Sequence, residues 1–364
     1  MPSAATLRRR PGRGARMDVA ITGGTGFIGS HCVSRALAAG HGVRMLVRNP
    51  VKAASALALH GIDPASVEVV TADLDDHPAL RAGLEGVDAV VHVAAVFSFK
   101  ASDGGAMLRT NPSSTSAILD AAAEFDIDPV VHVSTVGVFL PQQAPGLAPD
   151  NDVSTGCGPY TKSKIGAELV ARRHQAAGRP VTCVYPGGVI GPTDPSPELT
   201  DSMATTRDLL KGSVVPFPRD VNMSWVDVRD VARVCIGALD PGRGPRRYLV
   251  SGPLITMGEF TDAFSRLTGR RMRHLSPPVP LMLGMGKAFE ATGRLLRRRL
   301  PLNAEIARLF AESVRSGGWS NVDESAAAEF GYPAHDFEDT LATTIRWLHE
   351  AGHFSDRHAG HLAD

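Results

Sequence analysis

The chain has 364 residues, 43% hydrophobic and 21% charged, a globular composition long enough for a large core. Lys plus Arg and Asp plus Glu each number 38, so the formal net charge is zero, which argues against a general polyanion or nucleic-acid binder. Cys32, Cys157, Cys183 and Cys235 have neither metal-type spacing nor the density of a disulfide framework, and read as free thiols in a reducing, cytoplasmic compartment.

Residues 1–16 carry Arg8, Arg9, Arg10, Arg13 and Arg16, with no acid and no apolar core. They do not form a secretory signal. They read as a tail or an over-long start before Met17, with an Arg-rich targeting segment or an anion-binding arm as alternatives. From Met17, short β-branched runs alternate with helical stretches. The strand-like runs are Asp18–Thr22, Val43–Val47, Val67–Thr71, Ala89–Val93, Val130–Ser134 and Val181–Tyr185. Helical patterns fall near 28–39, 51–60, 77–85, 105–126 and 160–177. This rhythm predicts an α/β fold with a doubly wound parallel (Rossmann) sheet covered on both faces.

After Tyr185 the rhythm breaks at a turn-rich segment with Pro186, Gly187, Gly188, Gly191, Pro192, Pro195 and Pro197. A helix at Val228–Leu239 and a strand at Arg247–Val250 then return the chain to the sheet. The rest reads as mostly helical, over 257–268, 280–298, 303–314 and 336–351. The expected division is a dinucleotide-binding domain at 17–185, rejoined by 224–250, and a smaller substrate lobe at 186–223 and 251–354. Residues 355–364 read as a second tail. No apolar stretch reaches the roughly 20 residues of a membrane span.

Gly23, Gly26 and Gly29 follow the first strand and open the first helix, with Thr25, Phe27 and Ile28 in the same turn. Glycines let the backbone approach a pyrophosphate, and the helix start supplies free N–H groups and partial positive charge. The spacing G-x-x-G-x-x-G differs from G-x-G-x-x-G, so the strand-before, helix-after context carries the reading. Much later, Tyr160 and Lys164 stand four residues apart on one helix face. A charged Lys164 would lower the Tyr160 phenol's proton affinity and would also hold a nicotinamide ribose. Tyr160 would then exchange a proton with an alkoxide or alcohol.

Together these motifs resemble the extended short-chain dehydrogenase/reductase family, over nearly all of residues 17–354. The resemblance implies several further roles. The residue ending the second strand selects the cofactor, and here Arg48, with Lys52 close behind, favours the 2′-phosphate of NADP; with the pair as mere surface charge, NAD remains the alternative. Asp73 and Leu74 would contact adenine. His92, Val93, Ala94 and Ala95 form a small-residue stretch beside the dinucleotide. At the end of the fifth strand the family places a substrate-binding hydroxyl, which ranks Thr135 above Ser134. Asn111 matches the family's asparagine, although Pro112 follows it. Pro186 and Val189 would flank the nicotinamide. The segment Trp225–Ala232 reads as scaffold, and a homodimer would pair helices near 105–126 and 160–177.

Within the family the chain looks most like the dihydroflavonol and cinnamoyl-CoA reductases, which reduce carbonyls with NADPH. Sugar-nucleotide epimerases and dehydratases, and 3β-hydroxysteroid dehydrogenases, are the alternatives. Some relatives bind NADP as sensors without turnover, but those lose the tyrosine or the lysine, and both are present here. Phe97, Phe99, Phe139, Met203 and Phe217 are candidates to line an apolar substrate pocket. The run Pro280–Gly286 followed by the basic stretch Arg294 to Arg299 reads as a lobe helix with a solvated end, so membrane contact is not expected.

Overall fold

The computed structural model describes residues 14–97, 104–142, 146–296, 304–316, 319–320 and 323–363. The Arg8–Arg13 run, Phe99 and the basic residues Arg297–Arg299 lie outside them. In chain order come β1 Asp18–Thr22, α1 Phe27–Ala38, β2 Gly42–Val47, α2 Pro50–Leu59, β3 Glu68–Thr71, α3 His77–Leu84, β4 Ala89–His92, α4 Gly104–Glu124, β5 Val130–Val133, α5 Pro159–Ala176 and β6 Val181–Pro186. There follow β7 Gly188–Ile190, α6 Asp201–Lys211, β8 Val214–Val215, β9 Asn222–Asp227, α7 Val228–Gly237, β10 Arg246–Val250, β11 Leu254–Thr256 and α8 Met257–Thr268. The last elements are β12 Arg273–His274, α9 Val279–Leu296, α10 Ala304–Ser316, α11 Ser325–Phe330, α12 Phe337–Glu350 and α13 Asp356–Ala359.

The main sheet is parallel, in the order β10-β6-β5-β4-β1-β2-β3. Its inner strands are apolar runs because both faces are covered. On β1, Val19 and Ile21 enter one core with Cys32, Val33 and Leu57, whereas Ala20 enters a second core with Leu80, Ile118 and Val170. The strand order reverses between β1 and β4, and the crevice beyond their carboxyl ends is where such sheets take ligands.

The segment after Tyr185 differs from expectation. β6 runs on through Pro186, and Gly188–Ile190 is a strand parallel to β9, which pairs antiparallel with β11. Glycine permits this because a Cβ on Gly187 would come within 2.3 Å of Ser224 Oγ and 2.7 Å of the Ser251 carbonyl. So β9 joins a small separate sheet, while α7 packs on α1 and β10 joins the main sheet. Helix α6 buries Met203, Ala204 and Leu210 on one side.

The expected tail at 355–364 needs correction. Phe354 and Ala359 are buried, and the turn after α13 lies against the end of α8. A Cβ on Gly360 would come within 1.9 Å of the Thr268 carbonyl oxygen, so glycine is what permits the approach. Within Trp225–Ala232 the two aspartates are structural: Asp227 accepts bonds from Arg229 and Thr340, and Asp230 from the backbone N–H groups of Ala334 and His335. Among the described residues, no helix is long and apolar enough to cross a membrane.

Candidate active site

The loop from β1 to α1 is shaped by close backbone approach. Gly23 has φ +74°, and a Cβ there would come within 2.8 Å of the Ala94 amide nitrogen beyond β4. A Cβ on Gly29 would come within 2.1 Å of the Gly23 carbonyl oxygen. Gly26 is different: its nearest neighbour would be the Gly23 oxygen at 3.3 Å, and its open side faces the cavity. Gly26 is also the N-cap of α1, with no side-chain cap over the first N–H groups. Thr25, Phe27, Ile28, Ala94 and Ala95 line the same cavity, while the Ala94 N–H bonds Thr22 Oγ1 at 3.1 Å. The uncapped helix start and the open side of Gly26 fit a dinucleotide pyrophosphate.

At the carboxyl ends of β2 and β3, where adenosine contacts were expected, Arg48 and Asp73 meet as an ion pair at 3.9 Å, because the two strands pair in register and end together. Arg48 is 81% exposed, Lys52 is exposed, and Leu74 is half-buried. The four residues assigned to this end occupy one edge of the sheet. None of these four lines the main cavity.

At the other end, Thr135, Tyr160, Lys164, Pro186 and Val189 line that cavity. Tyr160 and Thr135 both face that cavity, and the Tyr160 ring tilts against Phe97 with centroids 4.5 Å apart. Its phenol is pushed up to about 12, first by burial and also by the negative Glu305, with the Thr135 hydroxyl opposing. That direction is opposite to the lowering expected from Lys164. Lys164 is itself buried and donates to the Val133 carbonyl at 2.9 Å. Burial brings its ammonium down to about 8, against the pull of Glu168 one turn on.

Ser134 Oγ is buried without a protein partner among the described residues, although the residue borders the cavity. Asn111 bonds both backbone polar groups of Val96 and reaches Ser163 on α5. Pro112 is accommodated because Gly166 leaves room; a Cβ there would lie 2.7 Å from the proline ring. Sequence reading missed Glu305. Its carboxylate on α10 accepts from the N–H groups of Tyr160 at 3.3 Å and Thr161 at 2.9 Å, across 144 residues to Thr161. No local motif encodes that contact.

The cavity has a volume of about 830 Å³. Phe97 and Phe217 line it as expected, and Phe217 stacks on Phe310 at 3.8 Å. Phe139 and Met203 do not; they belong to the cores beside Tyr185 and in α6. Leu209, Trp225, Phe289, Ile306 and Leu309 take their place. Among the described lining residues, Lys164 is the one cation.

The family model described as NAD dependent epimerase/dehydratase family matches residues 19–251. A putative dihydroflavonol 4-reductase from Synechocystis is 27% identical over 92% of this chain and 95% of the relative. A 4-hydroxy-2-methyl-3-oxo-4-farnesyl-3,4-dihydroquinoline-1-oxide ketoreductase from Stigmatella aurantiaca is 32% identical over 87% of this chain and 92% of its own. The solved dTDP-glucose 4,6-dehydratase of Streptomyces venezuelae, with NAD bound, superposes with a TM-score of 0.68 at 26% identity, covering 94% of this chain and 100% of that one. The chain therefore belongs to the NAD dependent epimerase/dehydratase family of extended short-chain dehydrogenases/reductases, and is an enzyme of that NAD(P)-dependent group.

Proposed function

We propose that the protein interconverts a carbonyl and an alcohol on an apolar substrate, with NADP as redox partner. The observation that carries this reading is the Tyr160–Thr135 pair lining one end of an apolar cavity whose described lining holds a single cation. A bound nicotinamide supplies or accepts the hydride. Thr135 donates to the carbonyl oxygen, and Tyr160 delivers a proton to the alkoxide formed there. A phenol with its proton affinity raised to about 12 is still a far stronger acid than an alcohol, so the transfer runs downhill. Lys164, one turn along the same helix, would compensate the charge of that phenolate.

Gly23, Gly26 and Gly29 with the start of α1 hold the pyrophosphate; Asp73 and Leu74 hold adenine; Arg48 and Lys52 select the 2′-phosphate. Residues 17–185 with α7 and β10 form the dinucleotide half, and the remaining segments form the substrate lobe. A sugar nucleotide would bring a diphosphate into a cavity offering it no arginine among the described residues. The Stigmatella relative is named for a farnesyl-bearing ketone, which accords with an apolar substrate. A homodimer would form through the outer faces of α4 and α5, where Leu108 and Leu169 are exposed.

The test is Tyr160→Phe, which should abolish turnover and leave NADPH binding nearly intact. Full turnover in that variant overturns the reading. Titration with NADPH and NADH, then assays against aldehydes, ketones, sterols and acyl-CoA esters, tests cofactor and substrate. Tightly retained NAD through purification would favour the epimerase chemistry instead.

A further inference from the structure

Helix α5 carries both Tyr160 and Lys164, yet its own N-cap residue is Gly158, which has no side chain to satisfy the first N–H groups. Glu305 of α10 fills that role from the opposite lobe. One of its oxygens accepts from the Thr161 N–H and the Thr161 hydroxyl, each at 2.9 Å, and the other from the Tyr160 N–H at 3.3 Å. The glycine is required for this approach, since a Cβ on Gly158 would lie 2.4 Å from the Glu305 carboxyl carbon. One turn further along α10, Arg308 donates to the Cys157 carbonyl at 2.9 Å. The neighbouring stripe of the same helix, Ile306, Leu309 and Phe310, lines the cavity. One helix therefore presents an apolar wall to the substrate and a carboxylate to the start of the catalytic helix.

We propose that Glu305 is a positioning residue, the cap through which the substrate-contacting wall of α10 holds the Tyr160 end of α5. The proposal rests on the role given above to Tyr160. Its second consequence is electrostatic. Beside Tyr160 stand Thr135 at the end of β5 and Glu305 from α10, with Lys164 one turn along its own helix and bonded to the Val133 carbonyl; Cys157, Arg308 and Glu312 complete the titratable groups around the junction. Glu305 raises the proton affinity of both Tyr160 and Cys157, the latter thiol lying at about 11 chiefly through burial. Removing the charge while keeping the side chain's size should therefore release the Tyr160 proton at lower pH.

The experiment measures the pH profile of kcat/KM for alcohol oxidation, with Tm as a control, in the wild type, Glu305→Gln, Glu305→Asp and Tyr160→Phe. The rising limb reports deprotonation of Tyr160. In Glu305→Gln we expect it to move down by at least ~0.5 pH unit. A limb coincident with the wild type overturns the proposal, whatever happens to Tm, because a merely structural cap would lower Tm and leave the limb in place. Should Glu305→Gln fail to fold, Glu305→Asp decides: it keeps the charge but draws the oxygens back by one methylene, so kcat should fall about fivefold with the limb unmoved. Wild-type kcat in that variant overturns the proposal. If Tyr160→Phe retains turnover, the reading of the site fails and this proposal falls with it; an inactive Tyr160→Phe with an unmoved Glu305→Gln limb sinks this proposal alone.

Discussion

Thr135, just past the end of β5, and Tyr160, in the first turn of α5, line one cavity together, and the Thr135 hydroxyl lowers the proton affinity of the Tyr160 phenol. Thr135 Oγ1 also accepts from the Gly137 N–H at 3.2 Å, which fixes its side chain. Thr135→Val, which keeps the shape and deletes the hydroxyl, should lower kcat/KM roughly 100-fold. Thr135→Ser should keep most activity. Ser134→Ala should stay within about threefold of wild type, because Ser134 Oγ makes no bond to protein among the described residues. Steady-state kinetics of the three variants check this ranking, and an inactive Ser134→Ala with an active Thr135→Val would reverse it.

The three glycines of the first loop should separate into fold and ligand roles. At Gly29 a Cβ would collide with backbone at 2.1 Å, so Gly29→Ala should cost several kcal/mol, on the order of 3, and lower Tm sharply. At Gly26 the nearest atom would be 3.3 Å away, so Gly26→Ala should fold and lose far less Tm than Gly29→Ala. Its methyl would point into the space proposed for the pyrophosphate, and the NADPH Kd should rise about tenfold or more. Thermal melts with and without NADPH distinguish the two.

Arg48 is held loosely, exposed and 3.9 Å from Asp73. Arg48→Ala should raise the KM for NADPH by about 10–100-fold, the worth of one or two charge-assisted bonds, and leave NADH nearly unaffected. Equal losses with both cofactors would show that Arg48 holds something other than the 2′-phosphate.

Lys164 makes a stability prediction with a definite sign. Its ammonium falls from 10.5 to about 8 on folding, so below pH 8 both states are charged and the native state bears the full burial penalty. Between about 8 and 10.5 the unfolded chain binds more protons, and the stability of the native state rises with pH. The shift corresponds to ~3 kcal/mol, offset by ~1 kcal/mol when the Val133 carbonyl loses its donor. Lys164→Met should therefore stabilise the protein at pH 7 by roughly 2 kcal/mol while abolishing activity. The gain should fade as pH approaches 10.5, as urea unfolding at several pH values would reveal.

The first half of the chain was legible because its strands are short β-branched runs between well-marked helices, with Gly23, Gly26 and Gly29 at the first junction. Tyr160 and Lys164 were legible because i, i+4 spacing sets them on one face whatever surrounds them. What could not be read depends on contacts distant in sequence. Met203 has the composition of a pocket residue, yet it turns into the core, whereas Phe310 closes on Phe217 from almost a hundred residues away. The rise in Tyr160 proton affinity arises from burial and from Glu305, neither of which its own helix specifies. Strand β7 was hidden by prolines and glycines that normally mark turns, but here let Gly187 sit against Ser224.

Among the described residues of the cavity wall Lys164 is the one cation, which makes hydration a filter. A molecule carrying a phosphate or carboxylate would have to shed its water shell against Val136, Leu209, Trp225, Ile306 and Phe310. A neutral lipid-like molecule sheds its ordered water at a gain. A substrate attached to a charged carrier would therefore leave the carrier outside in solvent and insert only its apolar portion, so that selection turns on how willingly each part of the ligand gives up water.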